Sequence, residues 1–164
     1  MTDDSPVRPA DADDAAAIQR VARDAWHAAY DPVLDADRID ETVSSWYDPP
    51  RLVEDDIEPS DRPLFVAVAD GAVVGFAEAV PDDGLAHLYR IYVAPDHWGG
   101  GIGGRLLART ERVLREQGFD RLQLSVLAAN EVGVGFYESH GFTRTAETRN
   151  DHFGVEEYEY RKRL

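Results

Sequence analysis

"IYVAPDHWGGGIGGRLL", Ile91 to Leu107, decides how the rest of this chain is read. Five glycines, Gly99, Gly100, Gly101, Gly103 and Gly104, stand between a β-rich run and a helical pattern. Inside a regular element each glycine costs roughly 0.5–1 kcal/mol relative to alanine, so their concentration needs a reason. A strand that runs through such a turn into a helix outlines an anion site. The first-turn N–H groups have no helical partner, and the helix dipole adds partial positive charge there. Without Cβ atoms, the backbone lets a pyrophosphate approach closely. Tight packing alone would need only one or two of the five.

Two common nucleotide loops are excluded by context. Gly99-x-Gly101-x-x-Gly104 matches the dinucleotide fingerprint literally, but that motif opens an early strand–helix–strand unit and is followed by an acid for the ribose. Here three strands come first, and the strand after the helix ends in Leu127-Ala128-Ala129-Asn130. A Walker-type loop needs a Gly-Lys pair, and the only lysine is Lys162.

On the N-terminal side, "LFVAVADGAVVGFAEAV" (Leu64–Val80) reads as two strands joined by Asp70-Gly71, a strong hairpin signal. A turn at Pro81–Gly84 leads to a third strand, Leu85–Val93. Before these, Asp11 to Ala29 carries apolar residues at helical spacing (Ile18, Val21, Ala22, Ala25, Trp26), and Asp37 to Trp46 reads as a second helix. Arg51 to Pro63 reads as a loop or irregular helical stretch. On the C-terminal side follow a helix from Ile102 to Gln117 closed by Gly118, a strand Arg121–Leu127, a short helix Glu131–Ser139, and strands near Thr143–Thr148 and Val155–Lys162. The pattern predicts one α/β domain of the α+β type over residues 1–164. Its central sheet is mixed and mostly antiparallel, flanked by about four helices.

Composition narrows the partners. The chain of 164 residues has 20 Asp and 12 Glu against 16 Arg and one Lys, a net charge of −15. Like charge argues against nucleic acid. Two readings account for the acidity: a solvated surface suited to strong salt, or steering of a cationic substrate, since residues 1–62 alone carry net −11. With no cysteine there is no disulfide, thiolate metal site or cysteine nucleophile, and no metal is expected. No run approaches the 18 apolar residues of a membrane span, so no membrane partner is expected. Met1–Pro6 lacks basic and apolar regions, and a cytoplasmic monomer or homodimer is expected.

The segment Ile91–Leu107 resembles the acyl-CoA motif of the GNAT superfamily of N-acetyltransferases, through Val93, Pro95, Gly101, Gly103 and Leu106-Leu107. "NEVGVGFYESHGF" (Asn130–Phe142) is similar to that superfamily's Asn-x-x-Ala-x-x-Phe-Tyr-x-x-x-Gly-Phe, with Gly133 where alanine is usual. The order of elements agrees from Val7 onward. One departure is Trp98, which stands where Arg or Gln is usual. Arg105, Arg109 and Arg112 follow on the next helix. They either supply the missing cation near a phosphate or form surface pairs with Glu111, Glu116 and Asp120.

The resemblance implies an acetyl-CoA-dependent N-acetyltransferase acting by direct attack of a primary amine of a small molecule or peptide, with an acyl-CoA-binding regulatory domain as the alternative. Donor contacts are then expected from Ile91, Tyr92 and Val93, from Trp98, Gly99, Gly100, Gly101, Ile102, Gly103 and Gly104, and from Asn130. It makes Tyr137 the general acid that protonates the thiolate; as a plain residue, Tyr137 would be a core aromatic. The base is His87, Glu78 or water: an ordinary histidine, with pKa about 6.5, accepts a proton near neutrality. Trp26, Tyr30, Trp46 and Tyr47 are candidates to line the acceptor pocket or to fill the core.

Overall fold

A computed structural model describes residues 6–59 and 62–164. Seven strands form one sheet: β1 (Val7–Pro9), β2 (Leu64–Ala69), β3 (Ala72–Asp82), β4 (Leu85–Val93), β5 (Arg121–Leu127), β6 (Thr143–Asn150) and β7 (Val155–Arg163). Their order is β1-β2-β3-β4-β5-β7-β6. Every pair is antiparallel except β4–β5. The helices are α1 (Ala15–Tyr30), α2 (Ala36–Trp46), α3 (Pro49–Leu52), α4 (Ile102–Glu116) and α5 (Glu131–Ser139).

Local chemistry explains most boundaries. Asp70 and Gly71 both take positive φ (51° and 79°), the turn that matches strand twist in a tight hairpin. The expected helix from Asp11 begins instead with a 3-10 turn, Ala12–Asp14. Asp11 and Asp14 form a reciprocal capping box there, and Arg8 grips the Asp14 carboxylate at 2.8 and 3.0 Å. After Asp48, Pro49 starts a new helical turn rather than ending order, because its fixed φ and missing N–H suit the first helical position. A π-helical turn, Val53–Ile57, continues it. Among the described residues there are thus five α-helices, α3 being a single turn. The short edge strand β1 has no counterpart in the sequence reading.

Alternation along β2 divides the core. Leu64 and Val66 face a cluster with Ile18, Val21, Trp26, Ile39 and Val43 from α1 and α2. Phe65 and Ala67 face Ile102 and Leu106 of α4 on the other side. A third cluster joins Leu107 and Leu114 of α4 to Tyr137, Leu124 and Tyr160. His27 ties α1 to α2, bridging Asp31 and Asp40 at 2.7 Å each. Asp40, then Asp31, raises its pKa above the ordinary histidine value. Lys162, the only lysine, is used internally: its Nζ lies 2.6 Å from buried Glu111. Among the described residues no helix is long and apolar enough to cross a membrane.

Candidate active site

The site follows from where two strands part. β4 and β5 pair only at Ala86–Leu122 and His87–Gln123, so the β4 edge from Leu88 to Val93 has no strand partner on that side among the described residues. Two cavities open along the gap. One, of about 300 Å³, is bounded by the Trp98–Gly104 loop and α5. The other, of about 950 Å³, lies under α1–α3 and the β6–β7 end. They share Ile91, Tyr92, Asn130 and Tyr137. A group held in one therefore meets a group held in the other at these four residues.

In the smaller cavity the glycines divide by task. Gly99 and Gly101 have φ of 82° and 83°, a conformation that side chains resist. Gly101 precedes α4 and offers no capping side chain, leaving the first-turn N–H groups for a ligand. Gly103 and Gly104 make room for α5: a Cβ on Gly103 would stand 2.9 Å from the Phe136 ring, and one on Gly104 would stand 3.2 Å from His140 Nε2. Sequence reading assigned all five to phosphate approach; the structure adds a helix-packing task for Gly103 and Gly104, which also line the cavity. Gly100 does not line the cavity, and Ile102 points the other way, 2% exposed beneath β2 and β3.

Ala94 N–H donates to Val74, so the Val93 carbonyl of the same peptide faces away from β3 into the gap. Trp98 Nε1 donates to it at 2.7 Å. Instead of carrying a cation, residue 98 fastens the loop to the end of β4. Of the three arginines, Arg105 brings Nη1 to 3.8 Å from the Cβ position of Gly101. Arg109 stacks on Phe65 at 5.0 Å, and Arg112 pairs with Glu116 at 3.8 Å, both away from the cavity.

At the junction, Asn130 caps α5 by accepting from Gly133 N–H at 2.9 Å, and its Nδ2 donates to Tyr30 Oη at 3.2 Å. A Cβ on Gly133 would press on this amide at 2.6 Å, which explains glycine where alanine is usual. Tyr137 is 9% exposed and borders both cavities. Burial raises its phenol well above the ordinary range, and burial likewise pushes Tyr30 up to about 12.

In the larger cavity, Trp26, Tyr30, Trp46 and Tyr47 all reach the wall. Trp26 and Tyr47 are also core residues, 4% and 1% exposed, whereas Trp46 is 43% exposed. Phe153 completes the aromatic wall, packing on both tryptophans at 5.8 and 6.0 Å, and Glu157 adds a carboxylate. Sequence reading missed both, because only β7 pairing beside Leu127 brings them here.

The candidate bases separate along the sheet. Glu78 lies opposite Arg90 across a β-bulge, on the same face as the Phe76–Tyr92 pair. It is 1% exposed, stands 3.6 Å from Arg90 and 3.7 Å from Arg62, and neither oxygen finds a hydrogen-bond partner among the described residues. Burial first, then the neighbouring Asp56 carboxyl, pushes its pKa up to about 8, against the pull of the two arginines. Arg62, Arg90 and Asp56 line the cavity; Glu78 lies behind them. His87 lines the cavity too, with Nε2 3.4 Å from Asp82. It stands four residues down the strand from Ile91, about 13 Å at the usual rise.

Comparison with known proteins agrees with this geometry. The acetyltransferase (GNAT) family profile matches residues 19–142. The spermidine N(1)-acetyltransferase of Thermoplasma acidophilum is 26% identical over 156 residues, 93% of this chain and 97% of that protein. The mycothiol acetyltransferase of Clavibacter sepedonicus is 32% identical over 136 residues, covering 83% of this chain but only 41% of that protein. Among solved structures, the PaiA N-acetyltransferase of Thermoplasma acidophilum in complex with coenzyme A superposes with a TM-score of 0.87 at 25% identity, covering 97% of this chain and 98% of that one. The fold is thus shared with solved acetyltransferases, and the chain belongs to the acetyltransferase (GNAT) family.

Proposed function

We propose that this enzyme transfers an acetyl group from acetyl-CoA to a primary amine of a small cationic molecule. The observation that carries the reading is the meeting of the two cavities at Ile91, Tyr92, Asn130 and Tyr137. The smaller cavity suits the donor: the α4 turn offers N–H groups to phosphates, and the unpaired β4 edge offers main-chain groups to the pantetheine arm. Acetyl-CoA supplies an activated acyl group. The protein's own part is to hold two reactants in line and to handle two protons. Tyr137 keeps a proton at its hydroxyl for the departing sulfur. Glu78, one register step from Tyr92, is better placed than His87 to take the proton of the amine, through water in the Arg62–Arg90–Asp56 cluster.

The acceptor class rests on local groups more than on overall charge. Of the described acids in residues 6–59, only Glu54, Asp55 and Asp56 reach the cavity, and Arg51, Arg62 and Arg90 line it with them. Glu157 and the aromatic wall of Trp26, Trp46 and Phe153 remain to favour an ammonium group. The spermidine enzyme among the relatives supports the same class. A panel of amines, polyamines, amino acids and N-terminal peptides tests this through released CoA. Cationic amines are expected to turn over best, and Glu157→Gln to raise their KM about five- to ten-fold with kcat retained. Preference for anionic acceptors overturns the acceptor reading. Silence across the panel with CoA bound favours a regulatory binding domain.

The acidic surface is part of the same proposal, as an adaptation to a salt-rich cytoplasm. Because −15 on 164 residues repels itself, Tm is expected to climb steadily from dilute buffer to molar KCl. A flat Tm over that range removes the salt-adaptation reading.

A further inference from the structure

The family pattern places a cationic or amide side chain before the glycines, and Trp98 does not provide one. A basic ring reaches the same turn from α5. His140 stacks on Phe136 with centroids 4.2 Å apart, and its Nδ1 lies 2.8 Å from the Phe136 carbonyl and 3.1 Å from Ser139 Oγ. A carbonyl only accepts, so Nδ1 carries hydrogen and Nε2 is the nitrogen left for a ligand. That atom faces the first turn of α4, 3.2 Å from the Cβ position of Gly104, and His140 lines the donor cavity. The approach exists because residue 104 has no side chain. The surrounding basic groups are His97, which lines the same cavity, and Arg105 beside Gly101. Lys162 passes 3.6 Å from the Cβ position of Gly141 and ends on Glu111. Among the described residues no Asp or Glu lines this cavity.

We propose that His140 Nε2 donates a hydrogen bond to a phosphate oxygen of the acyl donor, supplying from α5 the contact that residue 98 does not make. The proposal rests on the donor-site reading above. With Nδ1 already a donor, Nε2 donates only as imidazolium, so the contact is charge-assisted. It makes His140 a determinant of donor specificity, favouring a thioester that carries phosphates over one that does not.

The test compares kcat/KM for acetyl-CoA, acetyl-3′-dephospho-CoA and S-acetylpantetheine in the wild type, His140→Phe and His140→Gln. Phenylalanine keeps the stacking on Phe136 and removes the donor. It is expected to lower kcat/KM for acetyl-CoA about ten-fold, the usual scale for a hydrogen bond to a charged group, and to leave S-acetylpantetheine unchanged. Glutamine is expected to recover part of the loss. A loss shared by the dephospho substrate assigns the contact to the pyrophosphate; one absent there assigns it to the 3′-phosphate. Equal losses on S-acetylpantetheine, or no loss on acetyl-CoA, overturn the proposal. If the wild type binds no CoA at all, the donor-site reading itself falls first.

Discussion

Tyr137→Phe is expected to lower kcat by about two to three orders of magnitude, the usual contribution of a placed proton donor. It leaves the dissociation constant for acetyl-CoA within about two-fold, because only the leaving-group step loses a partner. The substitution keeps the ring, and with it the edge contacts to Phe136 at 5.5 Å and Phe142 at 5.6 Å. What it removes is the hydroxyl between the two cavities. Burial holds that phenol above its ordinary range, so it keeps its proton throughout the working pH. The wild-type rate therefore shows no falling limb from this group below about pH 10, where an ordinary tyrosine would begin to ionise. Single-turnover and steady-state kinetics check both statements. A variant with wild-type kcat overturns the role of Tyr137 and leaves the fold untouched.

Glu78→Gln has the second large effect, and pH reveals it twice. In its proposed role as proton acceptor Glu78 works only when ionised, so kcat/KM is expected to rise through a limb near pH 8, where its pKa has been pushed. The variant loses that limb and about 100-fold in rate. Stability moves the opposite way. The folded state holds a proton on Glu78 that an ordinary glutamate surrenders near pH 4.5. Its stabilisation is complete below that value and is lost as pH climbs toward 8. The wild-type Tm is expected to fall by several degrees between pH 6 and 9, roughly what 2–3 kcal/mol moves in a domain of this size. In Glu78→Gln that fall is smaller, reduced to what His27, whose pKa is also raised, contributes. A variant with the wild-type pH–rate profile moves the base elsewhere, to His87 or to water. A Tm that falls equally in both proteins rejects the buried proton.

The parts of the fold legible in the sequence are those written in local chemistry. Asp70-Gly71 announces its hairpin because two positive φ angles are needed at adjacent positions. Gly118 closes α4 in the same way, at φ 93°. β5 and α5 were read with their observed limits. Features set by distant contacts were not legible. β1 exists because Val7, Arg8 and Pro9 pair with β2 residues nearly sixty positions later, and three residues carry no period of their own. Gly103, Gly104 and Gly133 look alike in sequence to the turn glycines, yet what requires them is a Phe, a His and an Asn side chain. The candidate site divides along the same line. The loop and Tyr137 sit in local motifs, whereas Phe153 and Glu157 reach the cavity only through the closing hairpin. The two candidate bases could not be ranked until the β3–β4 register set Glu78 beside Arg90.

The pairing of Lys162 with Glu111 has a consequence for an enzyme that keeps company with a reactive thioester. Acyl thioesters modify exposed lysines without any catalyst, and an acetyltransferase concentrates one beside its own surface. This chain carries its positive surface charge on arginine, which cannot lose its proton in a protein. Its single lysine amine is engaged 2.6 Å from a buried carboxylate, which holds it back from attacking a thioester. No lysine side chain is therefore left to compete with the acceptor for the acetyl group. The ion pair thus spares the one lysine side chain from its own reagent.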